Sequence, residues 1–258
     1  MELSYVVAIP SYERYKSISK RVLLFLREGQ VDKRRIFIFV ADASQAELYK
    51  EHVSRELYNE IVIGIKGLVE QRNFIRNYFP VGQYVVSLDD DVTRLKRLVD
   101  GKLQRINNLD IFFTQAFKIL EQTGLYIWGI FSTNSTMHMK QQKEEISTAL
   151  KFLVGYCHGY IARRDEHLDL HIESTGKEDY EQTLRYWKLD GGVVRFNHVC
   201  ANDAAVPRNG GLGKDRLKMN ADASAYLKKT FSDNVIEWLR PDGRPEVRLR
   251  ENLPHMHA

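Results

Sequence analysis

An α/β fold, with a mixed, mainly parallel sheet and helices on both faces, follows from three features of the 258-residue sequence. Four short apolar runs occupy the first 92 residues, segments with helical spacing separate them, and three of the runs end in polar or turn residues. Strands buried on both faces read as continuous apolar runs, and parallel neighbours need a crossover that is usually helical.

The first run, SYVVAIP at 4–10, is stopped by Pro10. Residues 16–28 then place Ile18, Val22, Phe25 and Leu26 at near-helical spacing, with Gly29 suited to the position after a helix. RIFIFVAD at 35–42 is the second strand, followed by a short helix from about Gln45 to Leu57. EIVIGI at 60–65 is the third, and the helix from about Leu68 to Tyr78 must stop near Pro80. QYVVSL, the fourth, runs directly into Asp89, Asp90 and Asp91. Right-handed crossovers between such strands place ligands at their carboxyl ends. Pro10-Ser11-Tyr12, Ala41-Asp42-Ala43 and the aspartate triplet are therefore expected to converge.

The second half is less regular. Asn107 or Asn108 can cap a helix through about Gln122, with Phe112, Phe113, Ala116, Phe117 and Leu120 on its apolar face and Gly124 beyond its end. Strands are predicted at YIWGIFS (126–132) and FLVGYCHGYIA (152–162), and TMHMKQQKEEIS between them as a loop. A helix from about Lys177 to Lys188 and the strand GVVRFN (192–197) precede a glycine-rich tract, PRNGGLGKDR, at 207–216. No repeat or Pro/Ser linker divides the chain, so one domain is expected.

Composition narrows the class. Hydrophobic residues make up 43% of the chain, enough for a sizeable core. No apolar stretch approaches the ~18 residues of a membrane span, and MELSYVVAIP lacks the features of a signal peptide, so a cytoplasmic protein without membrane partners is expected. Cys157 and Cys200 are isolated and read as reduced, partly buried residues. A net charge of +4 is compatible with a nucleic-acid partner but does not identify one.

Three carboxylates where a buried strand surfaces repel one another, and a hard divalent cation resolves that repulsion. Strand alternation would put Asp89 and Asp91 on one side and Asp90 on the other. Mg²⁺ or Mn²⁺ on such carboxylates would stabilise a departing nucleoside diphosphate as a Lewis acid. A solvated turn or helix cap is the bland alternative. An EF-hand is excluded, because Arg94 and Asp100 fall where it needs glycine and glutamate. DDDVT also fits a DxDxT phosphatase pattern with Asp89 as nucleophile, which looks like the haloacid-dehalogenase superfamily. There the aspartates follow the first core strand, whereas here three strands come first.

The second constellation is KEDYEQTLRYWKLDG, in which Tyr180, Leu184 and Trp187 define one helix face while Glu178 and Asp179 occupy the first turn. The helix dipole alone favours acids there. A general base at Asp179 would need its proton affinity raised, by desolvation or a neighbouring diphosphate.

VVAIPSYER, IFIFVAD, KGLVEQRN, YVVSLDDDV and KEDYEQTLRYWKLDG, in this order over residues 4–197, resemble the elements of the GT-A (Rossmann-like) glycosyltransferases. The wording IPSYxR, KGLVxQRNF and SLDDDV is further similar to the small glycosyltransferases associated with TET/JBP dioxygenases, including the base-J enzyme and phage relatives. The resemblance implies a nucleotide-sugar-binding half at 1–92 and an acceptor-binding half at 93–258. It implies Pro10, Ser11, Tyr12, Asp42, Lys66, Gln71, Arg72, Asn73, Asp89 and Asp90 around a UDP-sugar, and Asp89 and Asp91 on Mn²⁺ or Mg²⁺ with His198 as a further ligand. Asp179 becomes the base of an inverting hexosyl transfer. The acceptor implied is a 5-hydroxymethylpyrimidine of DNA, in the host cytoplasm if the protein is phage-encoded. A same-fold transferase acting on protein or polysaccharide is the alternative.

DNA would also suit two basic clusters. Arg94, Lys96, Arg97, Lys102 and Arg105 follow the triplet, and Lys214 and Arg216 flank the glycine tract. Each has a bland reading as a solvated face or loop, and the second could instead close over the diphosphate.

Overall fold

A computed structural model describes residues 4–173, 176–201, 216–241, 243 and 245–251. Strand β1 (Tyr5–Pro10), helix α1 (Val22–Glu28), β2 (Ile36–Val40), α2 (Ala43–His52), β3 (Glu60–Ile63), α3 (Leu68–Tyr78) and β4 (Tyr84–Leu88) come first. A hairpin of β5 (Leu95–Val99) and β6 (Lys102–Arg105) follows, then α4 (Leu109–Thr123), β7 (Ile127–Phe131), α5 (Thr136–Lys140), β8 (Ile146–Ser147) and β9 (Cys157–Ile161). The chain continues through α6 (Glu178–Asp190), β10 (Val194–Ala201), α7 (Arg216–Thr230), β11 (Val235–Leu239) and β12 (Pro245–Leu249).

One sheet has the order β3-β2-β1-β4-β9-β7-β10-β5-β6, with β8 against β10, while β11 and β12 pair separately. The first four strands are mutually parallel. Strand order reverses between β1 and β4, which makes their carboxyl ends the switch point of the sheet. Beyond β4 the direction changes: β9 runs antiparallel to both β4 and β7. The amino end of β9 is thereby laid beside the carboxyl end of β4, with Leu88 opposite Cys157.

Period-two alternation distributes the core. Val7, Ile9, Val86, Leu88, Trp128 and Ile130 pack toward α1, α2 and α4, whereas Ala8, Val85 and Ile127 pack toward α3, α6 and α7. Caps end the helices where the sequence predicts: Asn108 accepts from the Ile111 N–H at 2.9 Å, and Gly124 closes α4 with φ 68°. Both cysteines are buried, and neither is in a disulfide among the described residues.

Several elements depart from expectation. Residues 152–156 are irregular rather than strand, because their backbone is taken up by α6: the Leu153 N–H donates to Thr183 Oγ1 at 3.2 Å. β10 runs past Asn197 because that polar side chain is satisfied inside the sheet, accepting from Arg195 Nε at 2.7 Å and donating to Glu144 O at 2.9 Å. The predicted loop around 136–147 carries α5 and β8, anchored by buried Met139. The basic stretch after the triplet is the β5–β6 hairpin, turned by Asp100 and Gly101 at positive φ, an Asp-Gly pair suited to such turns.

Trp128 is fully buried, with the rings of Phe112, Phe113, Phe117 and Phe196 at 5.3 to 6.1 Å from one another or from it. Gly159 faces it across the β7–β9 pair, and a Cβ there would lie 2.4 Å from the indole. The four phenylalanines leave the ring nowhere to go. Gly159→Ala is expected to destabilise the fold by ~1–3 kcal/mol, seen as a lower urea midpoint with an unchanged slope.

Candidate active site

The switch point is closed by side chains from both strands that border it. Ser11, just past β1, is buried; its hydroxyl donates to Asp90 Oδ2 at 2.5 Å and shares a 2.6 Å hydrogen bond with the Tyr49 hydroxyl. Tyr12 is 43% exposed, with Lys66 Nζ 5.5 Å from its ring centre. Asp42 caps α2, accepting from the Ser44 hydroxyl and the Gln45 N–H, and these bonds hold its carboxyl below the usual range. Tyr12, Asp42 and Lys66 form an exposed rim beside Pro10.

Gln71 and Asn73, expected at a nucleotide, spend their amides on backbone. Gln71 is buried, accepting from the Ile65 N–H at 2.8 Å and donating to Val40 O at 3.3 Å. Asn73 exchanges bonds of 2.8 and 2.9 Å with Leu170. Both hold α3 to neighbouring loops.

β4 ends at Leu88, and Asp89 to Val92 is a turn in which the Val92 N–H donates to Asp89 O at 3.3 Å. The strand alternation expected to align Asp89 with Asp91 therefore does not extend through the triplet. Asp89 accepts from Arg72 Nη2 at 3.2 Å, Asp90 from Ser11, and Asp91 has no hydrogen bond or ion pair among the described residues. Burial pushes Asp89 up to about 7, with Arg72 opposing and Asp91 and Asp90 adding to the rise. Asp90 is pushed up to about 6, again chiefly by burial.

Arg72 connects this turn to α6. Its Nε lies 3.6 Å from Glu178 Oε1, and Asp179 adds a third acid nearby. Burial opposes the guanidinium charge, but the three carboxylates outweigh it. Its Nε and Nη1 are buried without hydrogen-bond partners among the described residues. Asp179 accepts from the Gly155 N–H at 3.3 Å and from the Tyr180 N–H at 2.9 Å. Burial first, then Glu178, raises its proton affinity. His158, held down to about 3 by burial and by Arg72, hydrogen-bonds through Nδ1 to Gly155 O at 3.0 Å, on the far side of the residue whose N–H binds Asp179.

Gly155 is the residue that the motifs do not single out, and Glu178, visible as an acid of the first turn, carried no assigned role. A Cβ on Gly155 would meet Asp179 at 3.1 Å and Arg72 at 3.2 Å. Two glycines inside one expected strand were the available signal of such a close approach.

The donor set suits a hard cation: carboxylate oxygens of Asp89 and Asp91, with Asp91 unpartnered among the described residues. Among the described residues, no three His, Cys, Asp or Glu side chains form a group that could hold a metal ion. His198 therefore does not complete a cage with Asp89 and Asp91. It sits where the β10–β7 pairing slips, with Nε2 buried and unpartnered. Mg²⁺ commonly binds through one or two carboxylates and takes its remaining oxygens from waters and phosphates.

The basic residues after the triplet divide. Arg94 and Arg97 are exposed, but alternation sends Lys96 and Arg97 to opposite faces of β5. Lys96 pairs across the hairpin with Arg105, which is ion-paired to Glu28. Lys214 and the side chain of Arg216 lie outside the described residues. No helix among the described residues is long and apolar enough to cross a membrane.

A family model described as TET-associated glycosyltransferase matches residues 5–211. Among solved structures, a Pyrobaculum calidifontis mannosyltransferase in complex with GDP-Man and Mn²⁺ superposes at TM-score 0.56 and 14% identity, over 89% of this chain and 64% of that one. S. aureus TarS superposes at 0.53 and 14%, over 89% of this chain and 44% of that one. TarS residues 1–349 superpose at 0.51 and 14%, over 89% and 72%. At such identity the likeness is one of fold, and it bears out the GT-A architecture. No curated protein matches the chain.

Asp89 binds protons more tightly folded than as an unstructured aspartate of pKa ~3.9, so stability falls as pH rises from about 4 to about 7. Asp89→Asn is expected to flatten that slope in metal-free urea melts. Arg72→Met leaves Asp89, Glu178 and Asp179 without their cation and is expected to cost ~3–5 kcal/mol at neutral pH. The penalty should shrink toward pH 4, as the acids protonate; one independent of pH would disprove the bridging role.

Proposed function

Because the chain belongs to the TET-associated glycosyltransferase family, we propose that it transfers a hexose from a UDP-sugar to the hydroxyl of a 5-hydroxymethylpyrimidine in DNA, with inversion. It is a glycosyltransferase of GT-A fold. The phosphatase reading of DDDVT falls with that membership. The observation that carries the reading is Arg72, which draws the carboxylates of the strand-end turn and those of α6 into one site.

Donor binding is assigned to the carboxyl edge. Tyr12, Asp42 and Lys66 would receive the nucleoside, and Ser11 and Asp90 brace the floor between β1 and β4. Asp89 and Asp91 would hold Mn²⁺ or Mg²⁺, which when bound neutralises charge on the leaving diphosphate. A GDP-Man and Mn²⁺ complex in one structural neighbour and UDP in another support a nucleotide-sugar donor.

Asp179 is the proposed base. Its raised proton affinity is what removing an alcohol proton near neutrality requires, and the N–H groups of Gly155 and Tyr180 hold its two oxygens in place. The acceptor oxygen, losing its proton to Asp179, attacks the anomeric carbon from the face opposite the diphosphate, and configuration inverts. DNA as acceptor is supported by the family's association and by exposed Arg94 and Arg97 beside the turn. A duplex base would have to be flipped out to reach the donor.

The test is hexosyl transfer from UDP-sugars to 5-hydroxymethylcytosine DNA with Mn²⁺. Asp179→Asn is expected to lower turnover by ~10²–10⁴-fold while a UDP-induced rise in melting temperature persists. Asp91→Ala should abolish that rise. Transfer to protein or polysaccharide with none to DNA would refute the acceptor.

A further inference from the structure

A cleft of about 550 Å³ lies between α6 and the β11–β12 hairpin, lined by Phe152, Tyr180, Ile236, Arg248, Arg250 and Glu251. We propose that it is the subsite for the acceptor strand, in which a nucleobase stacks on the Phe152–Tyr180 pair while Arg248 and Arg250 hold the adjoining phosphates. This rests on the DNA reading above and adds to it a site whose arginines lie C-terminal to residue 211, where the family match ends.

Position is the first support. Tyr180 follows Asp179 on α6, and Phe152 leads into the segment whose Gly155 N–H binds Asp179. Anything held against these two rings adjoins the proposed base. The rings are stacked 4.2 Å apart at 26°, and both are partly buried. Thr183 ties Leu153 to α6, so the platform and the base move as one piece. The volume falls within the range of small-molecule sites.

Charge is the second. Glu251, the acid that lines the cleft, is held by Lys151 and, at 3.9 Å, Arg195, and Glu246 beside it by Lys177 and Arg240, whereas Glu237 of β11 is exposed and does not line the cleft. Arg248 and Arg250 are exposed and form no ion pair among the described residues. They stand two residues apart at the end of β12, an arrangement that presents them to one side. A rim whose described lining has two cations outside any ion pair and its one acid, Glu251, already paired favours a polyanion over a neutral glycan. Aromatic stacking beside backbone-tracking arginines is how single strands are held without reading their sequence.

The experiment measures binding of the full chain to a fluorescent single-stranded oligodeoxynucleotide carrying 5-hydroxymethylcytosine, across a salt series. Arg248→Ala with Arg250→Ala is expected to weaken binding about tenfold or more and to lower the salt slope by about 2. The Arg248→Lys, Arg250→Lys pair should recover most of the slope, and Phe152→Leu should weaken binding about ten- to hundred-fold. The UDP and Mn²⁺ melting shift should stay unchanged in all of them. If the wild type binds and modifies the oligonucleotide and the alanine pair does so equally well, the subsite is wrong and the acceptor reading stands. If the wild type neither binds nor modifies it while its UDP shift is intact, the acceptor reading fails and the subsite with it. Loss of binding to a neutral oligosaccharide, rather than to DNA, would also overturn the proposal.

Discussion

A guanidinium that is buried and cannot lose its proton must be met by acids, and Arg72 meets three. Asp89 comes from the turn after β4, Glu178 and Asp179 from the first turn of α6, about ninety residues later in the chain. Their mutual repulsion would otherwise push these elements apart. Burial and the neighbouring acids raise the proton affinity of Asp89 and Asp179, and Arg72 opposes that rise, so the same contact sets how far it goes.

Direction in the sheet makes that contact possible. Had β9 run parallel to β4, its amino end would lie at the opposite edge, and Gly155 could not reach Asp179. Reversal brings the 152–156 segment to the carboxyl edge, where the Asp89 N–H donates to Tyr156 O at 3.0 Å. Glycine then serves twice in one short stretch. At 155 it admits Asp179 and Arg72, and at 159 it admits the indole of Trp128 from the neighbouring strand.

Charge in this protein is organised by pairing more than by total. A net +4 conceals acids that each hold two cations, as at Glu246 and Glu251, and cations shared among several acids, as at Arg72. Among the exposed cations that form no ion pair in the described residues are Arg94 and Arg97, at one hairpin, and Arg248 and Arg250, at another, and they contribute to the field that an anionic partner would meet.

Continuous apolar runs and helical spacing located the strands and helices of the first 92 residues, since parallel strands joined by helical crossovers read as such runs; α3 spans Leu68–Tyr78 as expected, whereas α1 begins only at Val22 and α2 ends at His52. The aspartate triplet and Glu178-Asp179 were visible for the same local reason: acids clustered at element ends demand an explanation. The β5–β6 hairpin was legible in Asp100-Gly101, but its basic side chains masked the alternation beneath. What lies beyond local pattern was decided by tertiary structure. Whether Gln71 and Asn73 face a ligand or a backbone, whether Asp89 continues a strand or turns, and which acids share Arg72 all depend on partners distant in sequence. Periodicity reports which face of an element is buried; it carries no information about what that face meets, and that meeting determines the proton affinities of the site.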